Sequence, residues 1–240
     1  MRTASETIGA MLMKNDAVVL FTRIPVAGKT KTRLRPLLSD EQCCEIQRSF
    51  ITDVYAMLQN ELTNCDVFVC FSPEGNLDEL VSITKNAKAH FPQFGKDLGE
   101  KMHNALCHVF EEGYKRCLLM GSDIPQLKAE QINEALDLLN SSDIVLCPTE
   151  DGGYYLVGMK EPCAKLFMLE EYGFSNVFEE TIAAAKCAGK SCAVGTALAD
   201  IDEPDDLYRL AEDLRNEDSK CCPETRKTLN AILPERGEAK

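Results

Sequence analysis

Short apolar runs rich in β-branched residues alternate with amphipathic stretches along nearly the whole chain, and this alternation limits the fold more than any other feature. A strand buried on both faces reads as a near-continuous apolar run, whereas a helix packed on one side shows a period of about 3.6 residues. Repetition of the pair is the mark of βαβ units in a largely parallel sheet, because parallel neighbours need a crossover that a helix can supply. Strands are expected at AVVLF (17–21), DVFVCFS (66–72), RCLLMG (116–121), DIVLCP (143–148) and YYLVG (154–158), with a weak one near 192–194. Helices are expected over about 40–61, 77–86, 98–112, 129–139, 175–188, 204–215 and 223–232. Ser39 and Gln42 fit a capping box at the start of the first, and Gly113 suits a left-handed residue ending the third. Gly152-Gly153 allows a tight turn before YYLVG, and the final PERGEAK reads as a frayed polar end.

One domain over residues 1–240 is expected, with a core over about 15–215 and a helical C-terminal extension over 216–240. Hydrophobic residues at 45% and charged residues at 27% match a globular chain and exclude a disordered or fibrous one. No stretch approaches the ~20 apolar residues of a membrane helix, and the opening MRTASETIGAMLMKND lacks a basic start with a sustained apolar run. A cytoplasmic protein, without a membrane partner, is therefore expected. The twelve cysteines contain no C-x-x-C and read as reduced thiols, and His90, His103 and His108 pair with no cysteine at metal-ligand spacing. A formal net charge of −13 disfavours nucleic acid as a partner. A homodimer is compatible with the sequence.

Against that acidic background, Arg23, Lys29, Lys31, Arg33 and Arg35 follow the first strand with no Asp or Glu between them. The loop TRIPVAGKTKTRLRP at 22–36 contains GKT, yet a P-loop would place a glycine where Arg23 stands, and Pro36 opposes a long helix after the lysine. A compact anion site fits better. Gly28 would let the backbone approach an anion, while Lys31 and Arg33, two residues apart in an extended loop, would face one side and neutralise phosphate oxygens.

Three further segments carry acids, two of them just past predicted strands, where open α/β sheets collect ligands. In LLMGSDIPQL (118–127) Asp123 stands just past a strand and opposite the basic loop, as a Mg²⁺ or Mn²⁺ ion bridging phosphates would require, although an aspartate there also suits a turn. In CPTEDGGYYLVG (147–158) Glu150 and Asp151 precede Gly152 and Gly153. In LADIDEPDDL (198–207) Asp205 and Asp206 suit the first turn of a helix opened by Pro204 as well as a ligand role, and Asp202 is expected to be a metal ligand.

In this order the segments resemble those of small bacterial GT-A-fold proteins known as radical-SAM/selenodomain-associated glycosyltransferases, in the nucleotide-diphospho-sugar transferase superfamily. The resemblance spans nearly all of residues 17–210 and is carried by FTRIPVAGKTKTRL, FGKDLGEKM, LMGSDIPQL, PTEDGGYYLVG, FSNVFEETI (174–182) and DIDEPDDL (200–207). It implies a single-domain GT-A fold, a three-layer α/β/α sandwich with a mostly parallel sheet. It also implies that Asp123 and Asp202 resemble the metal-binding aspartates of related transferases. PVAGKTKTRL departs from the G-G-x-S-x-R-M-G opening loop of nucleotidyltransferases.

The activity expected first is metal-dependent transfer of a sugar from a nucleotide-sugar to a small-molecule acceptor. Asp123 and Asp202 would hold the metal, and Arg23, Gly28, Lys31, Arg33, Ser122, Gly152 and Gly153 would bind the nucleotide. Asp151 would serve the acceptor as a base. Two alternatives stand beside it. One is a guanylyl- or cytidylyltransferase joining an NTP to a phosphorylated small molecule with release of pyrophosphate. The other is a non-catalytic nucleotide-binding module.

Overall fold

The computed structural model describes residues 16–169, 172, 176–216 and 221–233. The strands are β1 (Asp16–Thr22), β2 (Cys65–Phe71), β3 (Ala89–Pro92), β4 (Arg116–Met120), β5 (Ile144–Pro148), β6 (Tyr154–Met159) and β7 (Cys192–Val194). The helices are α1 (Asp40–Glu61), α2 (Leu77–Ile83), α3 (Leu98–Glu111), α4 (Ala129–Ser141), α5 (Val177–Cys187), α6 (Pro204–Asn216) and α7 (Pro223–Ile232). Residues 1–15, Phe174 and Ser175 of FSNVFEETI, and the polar end over 234–240 lie outside the described residues.

Hydrogen bonding joins the strands in one sheet of order β3-β2-β1-β4-β6-β5-β7. All pairs are parallel except those of β6, which runs antiparallel to both β4 and β5. Only residues 149–153 separate β5 from β6, too few for a crossover, so that pair closes as a hairpin. Gly158 makes this central crossing fit: a Cβ there would overlap Leu118 of β4 and stand 2.8 Å from Val145 Cγ1 of β5.

Strand pleating divides the core. Val18 and Leu20 of β1 face α1, α2 and α4, packing with Ile51, Val54, Leu80, Ile132 and Leu139. Ala17 and Val19 face the other way, onto Met102, Leu106 and Val109 of α3 and Ala185 of α5. This is a three-layer α/β/α sandwich, and each fully buried Leu or Phe contributes about 1.5–3 kcal/mol to it. The outer side of α1 supports a further cluster, in which Cys43, Ile46 and Phe50 meet Leu207, Leu210 and Leu214 of α6 and Leu229 of α7. Asp53 ties α7 to α1 by accepting the N–H groups of Glu224 (3.1 Å) and Thr225 (2.7 Å), two donors that a helix start leaves unpaired.

The capping box at α1 forms as its sequence dictates: Gln42 N donates to Ser39 Oγ at 3.2 Å and Ser39 N to Gln42 Oε1 at 2.8 Å. Gly113 ends α3 at φ 90°. β3 is an addition to the expected strands. Its four residues form an edge strand ending in Pro92, too short for a readable period. The twelve cysteines are all free thiols. Among the described residues, no helix is long and apolar enough to cross a membrane.

Candidate active site

The strand order reverses beside β1: β2 and β3 build outward on one side and β4 continues on the other. The carboxyl ends of β1 and β4 therefore flank a topological switch point, the place where open α/β sheets bind ligands. A cleft of about 610 Å³ opens there, and Arg23, Lys31, Arg33, Ser122, Asp123 and Asp202 line it.

A buried hydrogen-bond chain forms its floor. Gln47 of α1 donates through Nε2 to Ser122 Oγ at 2.8 Å, and Ser122 Oγ lies 2.9 Å from Thr22 Oγ1. Thr22 in turn donates to Arg23 O at 3.4 Å. Because the Gln47 amide can only donate through nitrogen, the direction runs from α1 through the tip of β4 to the start of the basic loop. Ser122, expected to contact nucleotide, spends its hydroxyl on this chain.

The basic loop is a turn rather than the extended segment expected from its sequence. Lys29 N and Thr30 N both donate to Val26 O, at 3.0 and 3.1 Å, and Lys31 takes the left-handed conformation at φ 49° ahead of a 3₁₀ turn over Thr32–Leu34. Lys31 and Arg33 nevertheless meet the same carboxylate. Lys31 Nζ lies 2.7 Å from Asp123 Oδ1 and 3.1 Å from Asp202 Oδ1, and donates to Ile201 O at 2.5 Å. Arg33 Nη1 reaches Asp202 Oδ2 at 3.0 Å. The Lys31 side chain is only 5% exposed. Burial disfavours its charge, but Asp123 and Asp202 outweigh that cost and hold its pKa above the ordinary lysine value. The Asp202 loop is held against β4 by Ile201 N donating to Asp123 O at 3.0 Å.

A second group of cations lines the same cleft. Lys29 pairs with Glu74 at 3.0 Å, and Lys29, Arg23 and Lys101 together draw the Glu74 carboxyl below its usual pKa, the Lys29 hydrogen bond being the largest cause. Among the described residues no ion pair forms at Arg23 or Lys101. Lys29 was visible in the basic loop and Lys101, a full helical turn into α3, in FGKDLGEKM, but neither had an assigned role.

Other expected residues are placed differently. Gly28, at φ 79°, lines neither this cleft nor the smaller one beside it: its carbonyl accepts Arg35 Nη2 at 2.8 Å, so it anchors the loop rather than approaching an anion. Asp151, expected as a base, uses Oδ1 to accept from Thr149 Oγ1 (2.5 Å) and Gly153 N (3.0 Å), closing its own turn. Gly152, at φ 91°, belongs to that turn and accepts Phe178 N at 2.9 Å. Asp151 and Gly153 line a smaller adjoining cavity of about 180 Å³ together with Asp123 and Asp200. Asp200, which lies within LADIDEPDDL and had no assigned role, has its pKa pushed up to about 6, by burial first and then by Asp151 and Asp202. Asp206 caps α6: its Oδ2 accepts from Asp202 N (3.2 Å) and Glu203 N (2.8 Å).

Asp123 and Asp202 are oxygen donors of the kind hard divalent cations prefer, and no cluster of three or more His, Cys, Asp or Glu side chains forms a metal cage among the described residues. A pair of carboxylates suits an ion that takes its remaining ligands from phosphates and water.

The chain is 29% identical over 158 residues to the 2-phospho-L-lactate guanylyltransferase of Methanocaldococcus vulcanius, a match covering 63% of this chain and 65% of that one, so it spans just under two thirds of that relative's length. It is 25% identical over 228 residues to the enzyme of the same name from Methanothermobacter thermautotrophicus, covering 94% and 96% of the two chains. Among solved structures, a presumed nucleotide-diphospho-sugar transferase from Desulfovibrio desulfuricans G20 superposes with a TM-score of 0.82 at 28% identity, over 90% of this chain and 95% of that one. The fold is thus that of the nucleotide-diphospho-sugar transferases. A family profile matches residues 56–175, half of the sequence, and the chain belongs to that family, described as uncharacterized protein conserved in bacteria (DUF2064).

Proposed function

We propose that this chain is a nucleotidyltransferase that joins the nucleoside monophosphate of an NTP, GTP in the first instance, to a phosphorylated small acid and releases pyrophosphate. The observation that carries the proposal is the presence of two separate cation groups in one cleft, Lys31 and Arg33 on the Asp123–Asp202 side and Arg23, Lys29 and Lys101 around Glu74. Two phosphate-bearing substrates call for two such groups, whereas sugar transfer to a neutral acceptor calls for one. The guanylyltransferase relatives favour the same reading over the sugar transfer expected first from the sequence, and the radical-SAM association carries no weight in it.

The chemistry suits the residues. A phosphate oxygen of the acceptor attacks the α-phosphorus of the NTP; the bond from that phosphorus to the bridging oxygen breaks, and pyrophosphate leaves with the electron pair. The nucleophile is already anionic near neutral pH, because the second pKa of a phosphate monoester is about 6. No protein base is needed, which agrees with an Asp151 carboxylate committed to its own turn. Lys31 and Arg33 lie where they can stabilise charge growing on the pyrophosphate. Asp123 and Asp202 would hold a Mg²⁺ or Mn²⁺ ion, whose charge would offset that of the phosphates.

The test is pyrophosphate release from GTP, CTP and UTP in the presence of 2-phospholactate and other phosphorylated hydroxy acids, beside nucleoside diphosphate release from UDP- and GDP-sugars. Pyrophosphate formation dependent on a phosphorylated acid is expected. Nucleoside diphosphate from a sugar donor, without pyrophosphate, would restore sugar transfer, and binding of nucleotide without turnover of any donor would identify a non-catalytic module.

A further inference from the structure

We propose that Lys31 occupies, in the nucleotide-free protein, the position a divalent cation would take between Asp123 and Asp202, so that metal is admitted only together with nucleotide phosphates. The identity of the nucleotide rests on the proposed nucleotidyl transfer; the obstruction itself rests on geometry.

The Lys31 ammonium touches three oxygens: Asp123 Oδ1 at 2.7 Å, Asp202 Oδ1 at 3.1 Å and Ile201 O at 2.5 Å. These are the same hard oxygen donors that a Mg²⁺ or Mn²⁺ ion would seek. An ammonium and a dication cannot share that space, because their charges repel and both need the facing lone pairs. Arg33 sets a second cation against Asp202, at Oδ2 and 3.0 Å. The 5% exposure of the Lys31 side chain and the Phe50 ring 5.6 Å from Nζ show the ammonium seated in place rather than sweeping through solvent.

The obstruction is also reversible. Lys31 lines the cleft beside Thr32 and Arg33, and a flexible four-carbon stem lets Nζ swing onto a rival anion without moving the backbone. An arriving triphosphate supplies that anion. As the ammonium leaves the two carboxylates for the phosphates, the carboxylates become free for the cation that the phosphates bring. Nucleotide and metal then bind with positive coupling, and neither binds well alone.

The test measures Mn²⁺ bound to protein by electron paramagnetic resonance, with and without GTP and with no acceptor, after correction for Mn²⁺ chelated by GTP in solution. For the unaltered protein, GTP should tighten Mn²⁺ binding by about tenfold or more, within the usual range of site–site coupling. Lys31→Met removes the charge and keeps the stem, and should bind Mn²⁺ without nucleotide about tenfold or more tighter than the unaltered protein, within the same range. Lys29→Met loses an equal charge from the same loop, at an exposed pair with Glu74, and should leave nucleotide-free Mn²⁺ binding near that of the unaltered protein. Equal Mn²⁺ affinity in Lys31→Met and the unaltered protein overturns the proposal. Should Lys31→Met fail to fold, Lys31→Gln takes its place, and tight stoichiometric Mn²⁺ binding by the unaltered protein without GTP overturns the proposal on its own. Tighter Mn²⁺ binding by Lys31→Met with no response to GTP in either protein would keep the obstruction and remove the nucleotide assignment instead.

Discussion

Replacing Gln47 by leucine tests whether the buried chain beneath the cleft holds the strand tips in register. Gln47 is 4% exposed, and Ser122 and Thr22 are each 3% exposed, so water cannot readily replace a lost partner. Leucine nearly conserves volume and should leave little cavity, so the main loss is the 2.8 Å donation to Ser122 Oγ. An unsatisfied buried polar group costs about 1–3 kcal/mol. For a chain of this size each kcal/mol lowers the melting temperature by about 2–4 °C, so a fall of about 2–12 °C is expected. Urea unfolding followed by far-UV circular dichroism should show a lower midpoint at an unchanged slope. The Ser122→Ala variant completes a cycle: the two losses should overlap, giving a coupling of at least about 0.5 kcal/mol, because removing both partners costs less than stranding one. Ser122 adjoins Asp123, so turnover of Gln47→Leu should fall further than its stability loss accounts for. If the two substitutions add to within about 0.3 kcal/mol, the side chains are independent and the chain is not a unit.

Asp202→Ala removes the carboxylate shared by Lys31 and Arg33 and should lower pyrophosphate release by about 100-fold or more, in the range of losing a charge-stabilising group; steady-state kinetics with GTP and a phosphorylated acid check this. Gly158→Ala forces a methyl group between Leu118 and Val145 and should cost about 1–3 kcal/mol in chemical denaturation, with most of the strain at the stiff Val145. Burial lowers the pKa of His90, although its bond to Thr84 pulls the other way. A depressed histidine contributes stability above its unfolded pKa, about 6.5, that is lost as pH falls through the folded value, so stability should drop as pH falls below about 7. His90→Gln should flatten that slope in melts across the same range, and an unchanged slope would exclude His90 as its source.

Local chemistry accounts for the elements that sequence reading located well. Ser39 and Gln42 satisfy each other's backbone within four residues, so the start of α1 is written in one short segment. The runs that became β1 and β4 are buried on both faces, so their apolar continuity survives without tertiary information. β3 escaped notice because its four residues depend on β2 for their pairing and include a proline that weakens any strand signal. The reversed direction of β6 was implicit in the short 149–153 connection, which no parallel crossover could span.

The site divides in the same way. That Asp123 stands at a strand tip follows from local pattern, and so does the concentration of cations after β1. Which oxygen each cation meets does not. Lys31 donates to Ile201 O, 170 positions along the chain, through a left-handed backbone that no preference of lysine foretells. Gly28 and Asp151 are hard to read for a related reason: glycine and aspartate serve turns through their own backbone as readily as they serve ligands, and the sequence looks alike in both cases. Only the partner separates the two uses. The Asp151 carboxylate has spent an oxygen on Thr149 and Gly153, whereas that of Asp123 faces an ammonium held by a second carboxylate from another loop. A carboxylate whose partner is a movable cation can exchange it for a ligand; an oxygen bonded within its own turn, such as Asp151 Oδ1, cannot do so without breaking the turn. Ligand-binding capacity in this cleft therefore follows the exchangeability of each charge's present partner rather than the count of charges along the chain.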